Sequence, residues 1–302
     1  MKTGWIVVGL CLALVVGCSD KGKSQSAPQA SGRALVVGLI PERNIFKQIE
    51  RYQPLANYLR AKTGIEVKIK VLSRYGNIID NFKSAELDGA FFGSFTYALA
   101  HARLGLSVLA RPEDANGVST YYGVIFVRKD SRIRTANDMK GKRFAFVDKA
   151  TTAGYLLPLE YFRNNGIAEY KSYFREAYFA GTHEDAIYDV LNRKADVGAA
   201  KNTVYQRLAN ADGRITRDLL ILARSPEVPE NGLAVRGDIE DSVKNALMTA
   251  LIDMDKDPAG REVLEAFGAR RFIATNDGDY QPVLDYARDA RIDLVSYDYR
   301  NE

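Results

Sequence analysis

The chain has 302 residues, 46% of them hydrophobic and 26% charged, with a formal net charge of +4 at pH 7. That balance excludes a disordered tail protein, a coiled coil and a collagen-like repeat. Lys and Arg are scattered instead of gathered into a stripe, which argues against a nucleic-acid partner, and the length predicts about two domains.

Residues 1–17 read as an export signal: Lys2, then an apolar run from Trp5 to Val16, ending in Val15-Val16-Gly17-Cys18. The run is short for a membrane span, which needs about 20 apolar residues. Two readings follow. Cleavage before Cys18 with lipidation of that cysteine resembles a bacterial lipobox; a plain signal peptide with a chance cysteine is the alternative. Residues 18–33 carry Lys, Ser, Gln, Ala, Pro and Gly and no large apolar side chain, the composition of a flexible tether. Both cysteines, Cys11 and Cys18, belong to these segments. The mature domain is therefore expected to lack a disulfide, a thiolate nucleophile and a Cys-ligated zinc.

From Ala34 onward strand and helix patterns alternate. The near-continuous apolar run Ala34–Ile40 predicts a buried parallel strand. Ile45, Ile49, Tyr52, Leu55 and Leu59 then recur at helical spacing, with Pro54 either interrupting that helix or opening its second part. Further strands are predicted at 66–72, 88–92 and 107–110, with helices at 76–84 and 94–104. The pattern restarts with strands at 121–129, 143–147 and 173–179 and helices at 154–164 and 182–193. Strands at 196–200, 219–223 and 231–236 and a helix at 203–210 follow, and the remainder reads as helical, at 240–255, 260–267 and 280–289. Such alternation predicts an α/β fold of βαβ units around mostly parallel sheets, in two lobes: residues 34–123 plus 232–302, and residues 124–231. The chain would pass between the lobes twice, near 121–126 and 229–235, making a hinge and a ligand cleft.

Enzyme motifs are mostly missing. There is no G-x-S-x-G, H-E-x-x-H or phosphate loop, since Gly141-Lys142 is followed by Arg143. With His101 and His183 the only histidines, a histidine-rich metal site is excluded; no cofactor or catalytic residue is expected. Thr151-Thr152-Ala153-Gly154 lies between a strand and a helix start, where unpaired N–H groups and the dipole can hold a tetrahedral oxyanion. Simple N-capping by the threonines is the alternative. Phe92-Gly93-Ser94 repeats that junction in the first lobe, with Ser94 as predicted N-cap. His183 stands just inside the helix begun by Thr182, whose pairing with Asp185 is close to a capping box. Tyr75, before Gly76, could donate its phenol to an anion; a core-edge tyrosine is the plainer reading.

In order, Gly38-Leu39-Ile40-Pro41, Tyr75-Gly76-Asn77-Ile78-Ile79, Asp88-Gly89-Ala90-Phe91-Phe92-Gly93, Asp138-Met139-Lys140-Gly141-Lys142, Thr151-Thr152-Ala153-Gly154, Thr182-His183-Glu184-Asp185-Ala186 and Ala195-Asp196-Val197-Gly198 resemble the phosphate/phosphite/phosphonate-type substrate-binding lipoproteins of ABC transporters, the PhnD-like family. The resemblance runs from Val36 to about Asp289. It implies a two-lobed periplasmic-binding fold (type II) that closes on a small oxyanion and delivers it to an ABC permease. Such a protein would be an extracytoplasmic monomer, held at the membrane through its lipid alone. It implies ligand contacts at Tyr75, Thr151, Thr152, Ala153 and His183, with Tyr121 a further candidate. Phe92 stands where phosphonate binders present a tyrosine, and Thr151-Thr152-Ala153 has one hydroxyl fewer than the family's Ser-Thr-Ser. Lys201-Asn202-Thr203 and Glu230-Asn231-Gly232 stand where acidic groups for an aminoalkyl tail would be expected, so Lys201 and Asn202 join Ser94 as candidates. The alternative function is a ligand-sensing lipoprotein that reports to a histidine kinase or other receptor.

Overall fold

The computed structural model describes residues 1–2, 33–84 and 86–301. The predicted signal from Thr3 onward, Cys18 and the tether through Gly32 lie outside the described residues. The first unit opens with β1 (Leu35–Leu39), α1 (Ile45–Thr63), β2 (Val67–Val71), α2 (Asn77–Lys83), β3 (Gly89–Phe92), α3 (Ser94–Leu104) and β4 (Ser107–Glu113). Asn44 caps α1 by accepting the Phe46 N–H, and the helix runs unbroken through Pro54. The chain then crosses through β5 (Thr120–Tyr121) into β6 (Gly123–Arg128) and β7 (Arg143–Phe146). A single π-helical turn, Thr152–Leu156, leads into α4 (Leu157–Asn164), then α5 (Tyr170–Tyr173), β8 (Glu176–Phe179), α6 (His183–Leu191) and β9 (Val197–Lys201). After α7 (Asn202–Ala211), α8 (Gly213–Asp218) and β10 (Leu219–Arg224), β11 (Val228–Pro229) carries the chain back to β12 (Gly232–Val235). Helices α9 (Asp241–Ile252) and α10 (Pro258–Phe267), strand β13 (Arg271–Ala274) and α11 (Gln281–Asp289) complete it.

Two larger sheets result, ordered β13-β4-β12-β3-β1-β2 and β10-β6-β9-β7-β8, and the two crossing segments pair as the small ribbon β11-β5. Strands joined through helices are parallel, as β1 is to β2 and β3 and as β7 is to β8 and β9. Strands entered straight from a crossing run the other way: β12 is antiparallel to β3 and β4, and β6 to β9 and β10. The sheets are thus mixed where a mostly parallel pattern was expected. The physical reason is that a returning chain needs no helical crossover to slot between existing strands.

Three sequence expectations are corrected. Between the helices expected at 260–267 and 280–289 lies a strand that was not expected, Arg271–Ala274, which adds antiparallel to β4 at the sheet edge. The strand expected from Tyr173 begins only at Glu176, since Tyr170–Tyr173 closes one helical turn first. The long strand 121–129 is two strands broken at Tyr122, whose N–H donates to Asn202 Oδ1 at 3.0 Å.

Residues 297–301 form a strap that ties both units together at the seam. Tyr299 donates to Asp80 Oδ1 at 2.7 Å in the first unit. In the second, Tyr297 donates to the Lys149 carbonyl at 3.1 Å, and Asn301 donates to Asp148 Oδ2 at 2.7 Å. The Tyr299 ring lies so close to Gly76 that a Cβ there would sit 2.5 Å from it.

Candidate functional site

The junction after β7 is rigid by construction. Asp148 accepts the Ala150 N–H at 2.8 Å, and the Thr151 hydroxyl donates back to the Asp148 carbonyl at 2.7 Å. The turn that follows docks directly on its own strand, with the Val147 N–H donating to the Gly154 carbonyl at 3.2 Å. A Cβ at Gly154 would lie 2.4 Å from Val147 Cβ, so only glycine permits this approach. Neither threonine caps the turn with its side chain. The simple capping reading of this segment therefore does not describe it, and the first-turn N–H groups keep the orphan character that helix starts have.

Across the seam, the Thr152 hydroxyl oxygen accepts the Phe95 N–H at 2.8 Å, and Thr96 donates to the Ala150 carbonyl at 2.7 Å. The start of α3 is thereby latched onto the start of the π-turn, two helix N-termini meeting as the sequence anticipated. Between them lies a hollow lined by Ile40, Tyr75, Tyr121, His183, Lys201 and the Thr151–Ala153 turn, with Glu42, Gly93, Thr96 and Asn231 completing the wall. Its volume is about 10 Å³, open to the centre of one water-sized sphere. The wall atoms stand back by a further sphere radius of about 1.4 Å. The space suits a compact tetrahedral group.

Two side chains give the hollow its character. Tyr75 is buried, and its hydroxyl has no hydrogen-bond partner among the described residues. Burial, with the charges of Glu42 and Asp148, pushes that phenol well above its ordinary range, so it stays a neutral O–H donor. His183 packs edge-on against Tyr75, ring centroids 6.0 Å apart. Its Nδ1 accepts the Lys201 backbone N–H at 3.2 Å. A backbone N–H cannot reverse its role, so Nδ1 is unprotonated and Nε2 carries the hydrogen. Burial lowers the His183 pKa to about 4, with Lys201 adding to that effect and Glu42 opposing it.

The charged part of the wall is closed on itself. Lys201 Nζ lies 3.1 Å from Glu42 Oε1 and 3.0 Å from Asn231 Oδ1, also donates to Glu230, and stands 4.3 Å from the centre of the Tyr121 ring. Those three oxygens take all three ammonium hydrogens. Burial pushes the Lys201 pKa down, but Glu230 and Glu42 outweigh it and hold it above its ordinary range. Burial likewise pushes Glu42 up, and Lys201, followed by His183, reverses this and brings Glu42 to about 2. The ammonium is therefore committed to protein oxygens, and an anion in the hollow would be met by dipoles and hydroxyls.

Of the residues singled out from sequence, Tyr75, Tyr121, Thr151, Thr152, Ala153, His183 and Lys201 share this hollow. Three stand apart from it. Phe92 is fully buried, stacked on Phe82 at 5.9 Å and edge-on to Tyr97, because alternation along β3 turns it into the core. Ser94 is not the cap of α3, a place taken by Gly93; its hydroxyl donates to the Pro229 carbonyl at 2.5 Å. Asn202 fastens the Tyr122 N–H instead. Sequence reasoning missed Glu42 and missed the side chain of Asn231 as an acceptor for Lys201. Among the described residues, no group of three or more His, Cys, Asp and Glu side chains could hold a metal ion. No described helix is long and apolar enough to cross a membrane.

Two α/β sheets joined by a double crossing, with a donor-lined hollow at the seam, define a two-lobed solute-binding protein of the periplasmic type. The chain belongs to the family of ABC transporter phosphonate periplasmic substrate-binding proteins, which it matches over residues 37–280. It is 26% identical over 260 residues to the phosphonates-binding periplasmic protein of Escherichia coli K12, covering 84% of this chain and 76% of that one. It is 25% identical to the probable ABC transporter phosphite binding protein PhnD1 of Prochlorococcus marinus, covering 85% and 89%. The crystal structure of PhnD1 in complex with methylphosphonate superposes with a TM-score of 0.77 at 24% identity, over 85% of this chain and 98% of that one.

Proposed function

We propose that this chain is an extracytoplasmic binding lipoprotein, anchored through Cys18, that captures a small phosphorus oxyanion and delivers it to an ABC permease. The observation that carries the reading is the Tyr75 hydroxyl: a buried donor without a partner among the described residues, in a hollow it shares with His183 and a helix start. An unmade hydrogen bond of that kind destabilises a protein by about 1–3 kcal/mol, and an incoming oxygen acceptor supplies the missing half. The names of the relatives, which concern phosphonates and phosphite, support phosphorus as the central atom. The lobes are residues 34–123 plus 232–302 and residues 124–231, hinged at the β5–β11 ribbon. The protein acts as a monomer and leaves its ligand chemically unchanged.

A thermal-shift screen of the refolded protein against phosphate, phosphite, methylphosphonate and methanesulfonate tests this. At least one phosphorus oxyanion raises the melting temperature, by an amount that grows with concentration. A flat response to all the phosphorus compounds would overturn the reading.

A further inference from the structure

Lys201 has the surroundings of a bound ligand. Its ammonium is enclosed by Glu42, Glu230 and Asn231 oxygens and capped by the Tyr121 ring, a complete cation site contributed by parts of the chain up to 189 residues apart. Two carboxylates face the one ammonium, and beyond it Arg51 and Arg207 add their positive charge beside Glu42. Lys201 and Glu42 line both the hollow and a neighbouring cavity of about 120 Å³, which Arg51, Thr203 and Arg207 also line. The lysine side chain is thus a partition between the two spaces.

Building on the proposed function, we infer that Lys201 is a specificity-determining residue, a tethered cation that fills an acidic subsite and so confines ligands to oxyanions without a cationic tail. A ligand carrying its own ammonium would have to place it against an occupied site and beside a like charge, which is repulsive and leaves its N–H groups unmatched. Shortening Lys201 to alanine removes three methylenes and the ammonium. That leaves Glu42, Glu230 and Asn231 to receive a ligand ammonium, and it joins the hollow to the outer cavity.

Calorimetric titration of wild type and Lys201→Ala with methylphosphonate, ethylphosphonate and 2-aminoethylphosphonate tests the inference. Wild type is expected to bind methylphosphonate at least tenfold more tightly than 2-aminoethylphosphonate. Lys201→Ala is expected to gain at least tenfold for 2-aminoethylphosphonate and to prefer it over ethylphosphonate, whose tail has no charge. Equal binding of the two ethyl compounds by the variant, or no wild-type preference against the amine, would overturn it. A second readout needs no phosphorus compound: ethylammonium chloride should raise the melting temperature of Lys201→Ala above that seen in equal sodium chloride, and should leave wild type unmoved. That arm still decides the subsite if wild type binds no phosphonate, an outcome that would count against the proposed function alone; equal responses of both proteins would overturn the subsite. Should Lys201→Ala not fold, Lys201→Ala/Glu42→Gln, with one buried charge fewer, takes the same titrations against the same outcomes.

Discussion

Lowering the pH from 6.5 to 4 is expected to cost the folded protein about 3 kcal/mol through His183 alone. In the unfolded chain this histidine takes a proton near pH 6.5; in the fold it resists until about 4, because it is buried and its Nδ1 is committed to the Lys201 N–H. Between those values the unfolded state holds more protons, so stability falls as acid is added, and the loss from His183 levels off as the pH passes below 4. Glu42 then takes over. Its pKa is depressed from 4.5 to about 2, so the stability it provides is complete above pH 4.5 and disappears as the pH falls through 2, again about 3 kcal/mol. The same acid removes the charge pairing between Glu42, ahead of α1, and Lys201, at the end of β9, one of the contacts across the seam. Urea unfolding at stepped pH checks this. His183→Gln should flatten the slope between pH 6.5 and 4.5, and an unchanged slope in the variant would assign the acid loss to other groups.

Tyr75→Phe is expected to weaken oxyanion binding about 10- to 150-fold while leaving the ligand-free melting temperature unchanged or higher. The two halves of that expectation have one cause. The Tyr75 hydroxyl is buried without a partner among the described residues, so its removal deletes a desolvated dipole and no hydrogen bond. With a charged ligand present, the same hydroxyl makes a hydrogen bond worth about 1.5–3 kcal/mol. A tyrosine that merely packed the edge of the core would behave in the opposite manner, with affinity intact. Calorimetric titration beside a melting curve separates the cases, and retained affinity in Tyr75→Phe would remove this residue from the site.

Much of this is legible in the sequence, for physical reasons that also set its limits. The strand-to-helix junctions at Phe92–Ser94 and Thr151–Gly154 carry local signals, apolar strand endings followed by small or hydroxyl residues, and they do meet at one seam. Which atoms face the hollow is a different matter. All four residues of β3 are buried, so no polar alternation in the sequence tells that Phe92 turns away. Ser94 resembles a cap until the Pro229 carbonyl, 135 residues away, claims its hydroxyl. Glu42 follows β1 and carries no motif; only the return of β9 and β12 to the seam brings Lys201 and Asn231 against it. Pairings across 159 and 189 residues are properties of the topology. The sequence order Glu230-Asn231-Gly232 held half of that information, the acidic group and the amide, without the lysine that occupies them.

The most direct measurement is a crystal structure of the refolded protein grown with methylphosphonate. The phosphonate oxygens should lie within about 2.7–3.2 Å of the Tyr75 hydroxyl, of His183 Nε2 and of the Thr152 and Ala153 backbone N–H groups, with Lys201 still on Glu42 and Glu230. Methylphosphonate found at any other place, or turned so that Tyr75 and His183 meet its methyl group, would contradict the account.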